Sequence, residues 1–273
     1  MAPKLFLTNT SSEYWGGHAA LTHIDATGTK DIVPSHTVRI YHFAGTQHSP
    51  GVLPLKHVQP TGAVGLHPFN WVDWRPLMRA AVANLDAWVC ENIPPPPSQH
   101  PRLDNGTAIP TDSLKSVYDT FPGYGFPRYL RHLSRFDFGL EEGITKNLPP
   151  ITGKPYPTLT TTVDQDGNEL AGIRLPDLAV PLATVTGWNL RHPDTGGDDQ
   201  THRIMGSTVP FPFTRQERQE RRDPRPSVEE RYASKEDYLD RVEEVAKDPV
   251  PRRSLLKEDI PLLTPMASHR DES

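Results

Sequence analysis

The chain has 273 residues with a net charge of −5 and 35% hydrophobic content, so it suits one large or two small soluble domains and carries no overall signal for nucleic acid or an anionic membrane. Its single cysteine, Cys90, excludes an internal disulfide and a cysteine-based zinc cluster. Thirty prolines, about twice the usual share, predict long ordered loops and few long helices, because proline lacks a backbone donor and fixes φ. We see no signal peptide or membrane span, and expect a cytoplasmic chain if Met1 is the native start.

Two strands are predicted at residues 4–10 and 37–45, which are β-branched and aromatic runs bounded by Asn, Ser and Gly. A short helix or wound loop between them would connect parallel strands. The first strand leads to Glu13, and the second ends in a turn with Gly45 and His48. Both side chains can then meet at one sheet edge, where a carboxylate orients an imidazole that acts as a general base.

Other assignments stay open at this stage. Asp25 and Asp31 are alternative acids, and His42 is an alternative base, although its place inside the strand suits a core histidine. In the non-catalytic alternative, His48 is a loop histidine and Glu13 a helix-capping acid. A metal site is not expected, because no close pair at ligand spacing with a carboxylate third occurs among four histidines: His18, His23, His42 and His48.

The clearest predicted helix runs over residues 73–91, with Asp73 as a cap and Pro76 in the first turn. Its predicted apolar face consists of Leu77, Ala81, Leu85, Trp88 and Val89. Four prolines at residues 94–97 favour polyproline II, so residues 94–101 are predicted to be a stiff spacer. A ligand for an SH3-type partner is the alternative.

The middle of the chain gives one hairpin signal. Residues 102–157 predict an ordered loop region that covers a cleft, because they are rich in Pro, Gly and aromatic residues. Residues 158–163 and 169–174 flank Asp164-Gln-Asp-Gly-Asn168, which predicts a β-hairpin with an Asp-Gly turn. A calcium loop is not expected, because Gly stands in the fourth place and Leu175 replaces the closing Glu.

The charged segment from residue 214 to residue 259 is predicted to be helical. Ser227 and Glu230 form a capping box, and Ser234 and Asp237 form a weaker one. An apolar stripe at helical spacing would pack on the domain: Tyr238, Val242 and Val245.

The chain resembles the C-terminal half of the α/β-hydrolase domain proteins of bacteria over about residues 4–263. The resemblance is carried by several sequence motifs that occur in the same order. These motifs are Asn9-Thr-Ser-Ser-Glu-Tyr-Trp15, Val38-Arg-Ile-Tyr-His-Phe-Ala-Gly-Thr-Gln-His48, Val163-Asp-Gln-Asp-Gly-Asn-Glu-Leu-Ala-Gly-Ile-Arg174, Pro181-Leu-Ala-Thr-Val-Thr-Gly-Trp-Asn-Leu-Arg191 and Asp223-Pro-Arg-Pro-Ser-Val-Glu-Glu-Arg-Tyr232. The resemblance implies an α/β class: the C-terminal part of an α/β-hydrolase fold with a Pro-rich, partly β extension and a C-terminal helix. We expect core strands and helix at 1–93, a Pro-rich loop region at 94–157, a hairpin and helical extension at 158–263, and a disordered tail at 264–273.

The resemblance implies that His48 is the general base and Glu13 the acid, and it implies no cofactor. In α/β-hydrolases the chain order is Ser, acid, His. We therefore expect the serine upstream of Met1 and interpret the chain as a portion of a larger enzyme. No Gly-x-Ser-x-Gly occurs, and Ser49 and Ser207 lack a strand–Ser–helix context, so the isolated chain is predicted to be inactive.

The implied reaction is hydrolysis of an ester or related acyl bond in a small molecule. Trp188, Asn189 and Arg191 are candidate pocket residues, with core packing and a surface salt bridge as the alternative. The expected partners are a small ester-like substrate and an upstream hydrolase half on a separate chain, with neither nucleic acid nor membrane. The rival interpretation is a non-catalytic fragment that completes a partner's sheet, because strands without neighbours present open edges.

Overall fold

The computed structural model describes residues 2–202 and 204–263. The strands are β1 (Leu5–Thr10), β2 (Val38–Phe43), β3 (Ala108–Pro110), β4 (Ser134–Asp137), β5 (Ile151–Pro155), β6 (Leu159–Thr161), β7 (Ala183–Thr186) and β8 (Ser207–Pro210). The α-helices are α1 (Ser11–Gly16), α2 (Arg75–Cys90), α3 (Lys115–Tyr118), α4 (Pro176–Ala179), α5 (Arg215–Arg221), α6 (Val228–Arg231) and α7 (Lys235–Lys247). Short 3₁₀ turns lie at Ala19–Thr22, Thr111–Leu114, Pro193–Thr195 and Lys257–Leu262.

The two predicted N-terminal strands form a parallel pair, β1 with β2. The far edge of β2 is covered by irregular chain. Gln99 donates its N–H to Ile40 O at 2.9 Å, and Ala44 donates its N–H to Ile173 O at 3.0 Å. The proline-rich segment predicted to be a spacer therefore leads into a contact along the sheet, and β2 has backbone partners on both sides.

The outer edge of β1 has no paired strand within the described residues. Leu5 donates its N–H to Thr37 O at 2.9 Å, so its backbone groups face β2. Backbone groups alternate in direction along a strand, which turns the N–H and C=O groups of Phe6 and Thr8 away from β2. This edge offers hydrogen bonds to a further strand.

Helix α2 packs beside the β1–β2 pair and differs in part from the predicted helix. It begins at Arg75, whose N–H donates to Asp73 Oδ1 at 3.0 Å. Val89 was predicted on the buried face, but it is exposed, and Asn84 is buried instead. Asn84 takes this place because its Nδ2 donates to Arg253 O at 2.7 Å, so a polar pair closes the face.

The predicted hairpin around residues 158–174 forms only at its turn. Val163 and Glu169 make a single bridge, and Asp164 donates its N–H to Asn168 O at 2.8 Å. The prediction of a second hairpin strand at residues 169–174 is wrong, because Ile173 pairs with the end of β2 instead. Strand β6 takes β3 as its antiparallel partner.

Residues 102–157 hold more regular structure than predicted. They contain β3, α3 and a two-stranded antiparallel ribbon of β4 and β5. These short strands are not predicted from the sequence, because the segment is rich in Pro and Gly, and both residue types are usually depleted in sheets.

The C-terminal helices agree with their sequence signals. The capping box of Ser227 and Glu230 is present, and Ser234 Oγ accepts the N–H of Asp237 at 3.2 Å. Tyr238 and Val242 of α7 are buried in the main core. The tail predicted to fray lies outside the described residues. No helix among those described is long and apolar enough to cross a membrane.

Within the described residues, three apolar clusters stabilise this arrangement, and the smallest consists of Tyr14, Ala19, Ala20, Ile24 and Leu159. The main core joins β2, α2, α4, β7 and α7. A second, aromatic cluster packs seven buried side chains: Trp15, Leu114, Tyr118, Phe121, Tyr124, Trp188 and Leu190.

Candidate active site

Glu13 and His48 lie in contact at the C-terminal ends of β1 and β2. His48 Nδ1–H donates to Glu13 Oε1, and the two atoms are 2.6 Å apart. A carboxylate can only accept, so this bond fixes the proton on Nδ1 and leaves Nε2 as the basic nitrogen of the neutral ring. The His48 side chain is 59% exposed, and Nε2 has no hydrogen-bond partner among the described residues. The pair has the acid–base part of a triad geometry.

Glu13 also caps its own helix, so one side chain makes both the capping contacts and the contact with His48. Thr10 occupies the N-cap of α1, and its N–H donates to Glu13 Oε2 at 2.6 Å while its hydroxyl donates to the same atom. The capping box holds one carboxylate oxygen and leaves the other for His48. The acid is therefore oriented by the turn that follows β1.

The turn that carries His48 is fixed along its length. Gly45 has φ +65°, and a Cβ there would lie 2.5 Å from Leu178 Cδ2, so the tight turn requires glycine. Trp74 Nε1 donates to Gln47 O at 2.9 Å. His48 donates its own N–H to Ser12 Oγ in α1 at 3.2 Å, which ties the base's turn to the acid's helix.

A buried carboxylate, Glu169, contacts both the start of α1 and the turn after β2. Its Oε2 accepts from Ser11 Oγ at 2.5 Å, from Gly45 N at 2.7 Å and from His42 Nε2 at 2.8 Å. Ser11 begins the helix that carries the acid, and Gly45 lies in the turn that carries the base. Glu169 is 3% exposed, so these are bonds in a water-poor interior.

A cavity of about 220 Å³ opens beside the Glu13–His48 pair. Its wall is largely apolar, with Phe43 and Trp74 stacked at 6.3 Å between ring centroids and Met78 beside them. The complete lining is Thr8, Asn9, Thr10, Glu13, Phe43, His48, Trp74 and Met78. The cavity therefore places the His48 imidazole beside room for a small apolar group.

Behind this site, a buried tyrosine and two histidines are in contact. Tyr14 donates its hydroxyl to His23 Nε2 at 3.0 Å, and the His23 ring lies 4.3 Å from that of His100 between centroids. Burial lowers the pKa of His23 to about 3 and raises that of Tyr14. A neutral His23 can accept the Tyr14 bond through Nε2.

The rival residues are engaged elsewhere. Asp25 accepts backbone N–H groups of its own turn, including that of Thr29 at 2.7 Å. Asp31 accepts the N–H of Asp104 at 2.9 Å, and His42 is fully buried against Glu169. Only Glu13, among the three acids weighed from the sequence, bonds to His48 in the described structure.

The candidate pocket residues from the sequence lie apart from this cavity. Trp188 and Asn189 are fully buried, the first in the aromatic cluster and the second donating Nδ2 to His67 O at 2.8 Å. Arg191 is exposed, and none of the three lines the cavity beside His48. Ser207 is buried in β8, where Tyr124 and Thr186 bond its hydroxyl, away from any strand–Ser–helix turn.

Sequence reasoning missed Glu169 and the aromatic wall. Glu169 meets Ser11 across 158 positions, and such a contact leaves no local pattern. The Thr10–Glu13 capping box, in which a Thr is followed three residues later by Glu, corresponds to the helix-capping alternative for Glu13. Among residues 2–202 and 204–263, no group of three or more His, Cys, Asp or Glu side chains is placed to hold a metal.

Comparison with protein families identifies the family of the chain. A family model described as "Alpha/beta hydrolase domain" matches residues 1–264. Comparison with the curated proteins gave no significant match, and neither did comparison with the solved structures. The matched range includes Glu13, His48 and the C-terminal helices. The chain belongs to the alpha/beta hydrolase domain family.

Proposed function

We propose that this chain supplies the general base, His48, and the orienting acid, Glu13, of a serine-type hydrolase that cleaves ester or related acyl bonds. The observation that carries the proposal is the 2.6 Å contact between His48 Nδ1 and Glu13 Oε1 at the ends of two parallel strands. A fold alone does not give a reaction, so the argument depends on this site.

In the proposed mechanism, His48 Nε2 removes the proton of a serine hydroxyl as its oxygen attacks the substrate carbonyl. The resulting imidazolium is stabilised by Glu13 and then donates that proton to the leaving alcohol. Water repeats the sequence on the acyl-enzyme, with His48 again the base. The apolar cavity beside His48 favours a substrate that places a small acyl or alcohol group against Trp74 and Met78.

The nucleophile in this proposal comes from a polypeptide segment outside the chain. No Gly-x-Ser-x-Gly occurs in the 273 residues, and the oxyanion-hole amides of this fold adjoin that serine. The open edge of β1 supports the proposal, because a parallel strand added beside Phe6 and Thr8 would end near the acid–base pair.

The test begins with the coding DNA upstream of the Met1 codon, where a reading frame for strand–Gly-x-Ser-x-Gly–helix is expected. Its product, made together with this chain, should hydrolyse short p-nitrophenyl esters, and His48→Ala should lower kcat/KM by at least about 10³-fold. His36→Ala, at another exposed histidine, is the matched control. Unchanged turnover in His48→Ala would overturn the assignment.

A structural fragment is the second candidate function, and the open β1 edge is the observation that favours it. In that case the chain completes a partner's sheet without supplying catalytic groups. The same preparation separates the two, because a complex that forms normally but hydrolyses no ester supports the structural role.

A further inference from the structure

A hairpin arm, defined here as residues 134–155, carries an unusual share of exposed apolar residues. Of the twenty large hydrophobic residues exposed in the described chain, six lie on this arm. Leu140 is fully exposed and Leu148 is 84% exposed. The six are Phe136, Phe138, Leu140, Ile144, Leu148 and Ile151.

The arm has little structure to support it. Within residues 2–202 and 204–263, strands β4 and β5 pair only with each other, and every residue of β5 is exposed. A two-stranded ribbon is marginally stable alone in water. Apolar groups concentrated on such a ribbon indicate an interaction surface, because monomers rarely expose large apolar patches.

We propose that the hairpin arm binds the arm of a second copy of this chain, so that the protein is a homodimer. Side chains of roughly 150–200 Å² exposed by about half or more give an apolar surface on the order of 700 Å² per copy. A stable interface buries about 800 Å² on each partner. The arm therefore offers nearly the area that a dimer needs.

Charge on the arm also favours a second copy. Three cations and three anions balance, so two arms bring no net repulsion into contact. Glu141 and Glu142 follow Leu140 directly at the tip, where an anionic lipid surface would be repelled. The charged residues are Arg135, Lys146, Lys154, Asp137, Glu141 and Glu142.

The arm joins the body at a closed neck, which makes it separable in an experiment. Tyr156 donates its N–H to Leu133 O at 2.8 Å, so the chain enters and leaves at one point. Replacing residues 134–155 with a short Asn-Gly turn should keep this bond and the body. The replacement removes two contacts of the Arg135 side chain, which donates to Ala26 O and lies 5.0 Å from the centroid of the Tyr156 ring.

The test is sedimentation equilibrium of the whole chain at micromolar concentrations, with circular dichroism to confirm folding. The wild type should be a dimer, and Leu140→Ser with Leu148→Ser should raise the dimer Kd by at least about tenfold. The arm replacement should be monomeric. Val33→Ser, at a residue 85% exposed outside the arm, is the matched control and should dimerise normally.

Three outcomes would overturn the proposal. These are a monomeric wild type, a dimer that survives replacement of the arm, and binding to neutral phosphatidylcholine vesicles that requires Leu140. The measurement needs no catalysis and no nucleophile-bearing polypeptide. Its failure is thus separate from failure of the proposed hydrolase function.

Discussion

At the scale of single residues, the two carboxylate oxygens of Glu13 have different partners, which explains how the exposed imidazole of His48 can be held in place. One oxygen accepts two groups of Thr10, and the other accepts from His48. Fixing the carboxylate through its own helix start lowers the conformational freedom that the His48 bond must overcome. The Glu13 carboxylate is thus held by Thr10 independently of its bond to His48.

This arrangement predicts that Glu13, and not Asp31, sets the tautomer of His48. In Glu13→Gln the amide no longer provides a charged acceptor, so the imidazole should become a mixture of its Nδ1–H and Nε2–H forms. Imidazole ¹⁵N chemical shifts at alkaline pH measure this mixture. Asp31→Asn is the control, because Asp31 bonds the N–H groups of Leu103 and Asp104.

Asp31→Asn should leave the His48 spectrum unchanged and cost about 1–2 kcal/mol of stability through weakened bonds to backbone N–H groups. A shifted tautomer in Asp31→Asn with none in Glu13→Gln would reverse the assignment of the acid.

Sequence reasoning reached this pair because strand order and residue type are local properties. Glu13 and His48 each follow a recognisable strand, and parallel strands bring their ends to one edge. The sequence did not predict that Trp74 and Met78 line the cavity, because the orientation of α2 over the sheet depends on packing between distant segments. The cavity wall follows from that orientation.

At the scale of elements, Glu169 connects the ends of β1 and β2 to the turn after β6. Glu169→Ala would leave Ser11, His42 and Gly45 with unpaired polar groups in the interior. We expect a loss of about 3 kcal/mol or more in the free energy of unfolding, measured by urea denaturation.

Glu169→Gln retains an acceptor and should cost less than Glu169→Ala. Glu244→Ala, on the exposed face of α7, is a surface control that should change stability by less than about 0.5 kcal/mol. Equal curves for Glu169→Ala and the control would show that the buried network contributes little.

The same element shows why the predicted hairpin was half right. The Asp-Gly turn is encoded locally and forms as expected. The strand after it was overridden by two long-range partners, since Glu169 bonds to the sheet ends and Ile173 pairs beside β2. Local β-propensity cannot decide between such partners.

At the scale of the whole molecule, burial of histidines should make the protein sensitive to acid. Burial lowers the pKa of His23 to about 3, and those of His18, His67 and His100 are lowered for the same main reason. The unfolded chain binds these protons near pH 6.5 and the folded chain does not. Stability contributed by the neutral histidines is therefore complete above pH 6.5 and declines as the pH falls below it.

For His23 alone we expect a loss of about 3 kcal/mol between pH 7 and pH 4, read from urea midpoints. His23→Gln keeps an acceptor for Tyr14 and should show a flatter pH dependence, even if it is less stable at pH 8. Asp31 favours the charged form of His23, while His42 and His100 oppose it. Parallel curves for the variant and the wild type would contradict this explanation.

The unequal edges of the β1–β2 sheet have a consequence for self-association through backbone pairing. Irregular chain around Gln99 and Ile173 already occupies the β2 side, while the β1 side is unpaired within the described residues. Two molecules that join through β1 leave no second edge of this sheet for a third. Pairing through the β1 edge is therefore self-limiting. The proline-rich chain at residues 94–101 covers the β2 edge and blocks fibril growth along this sheet.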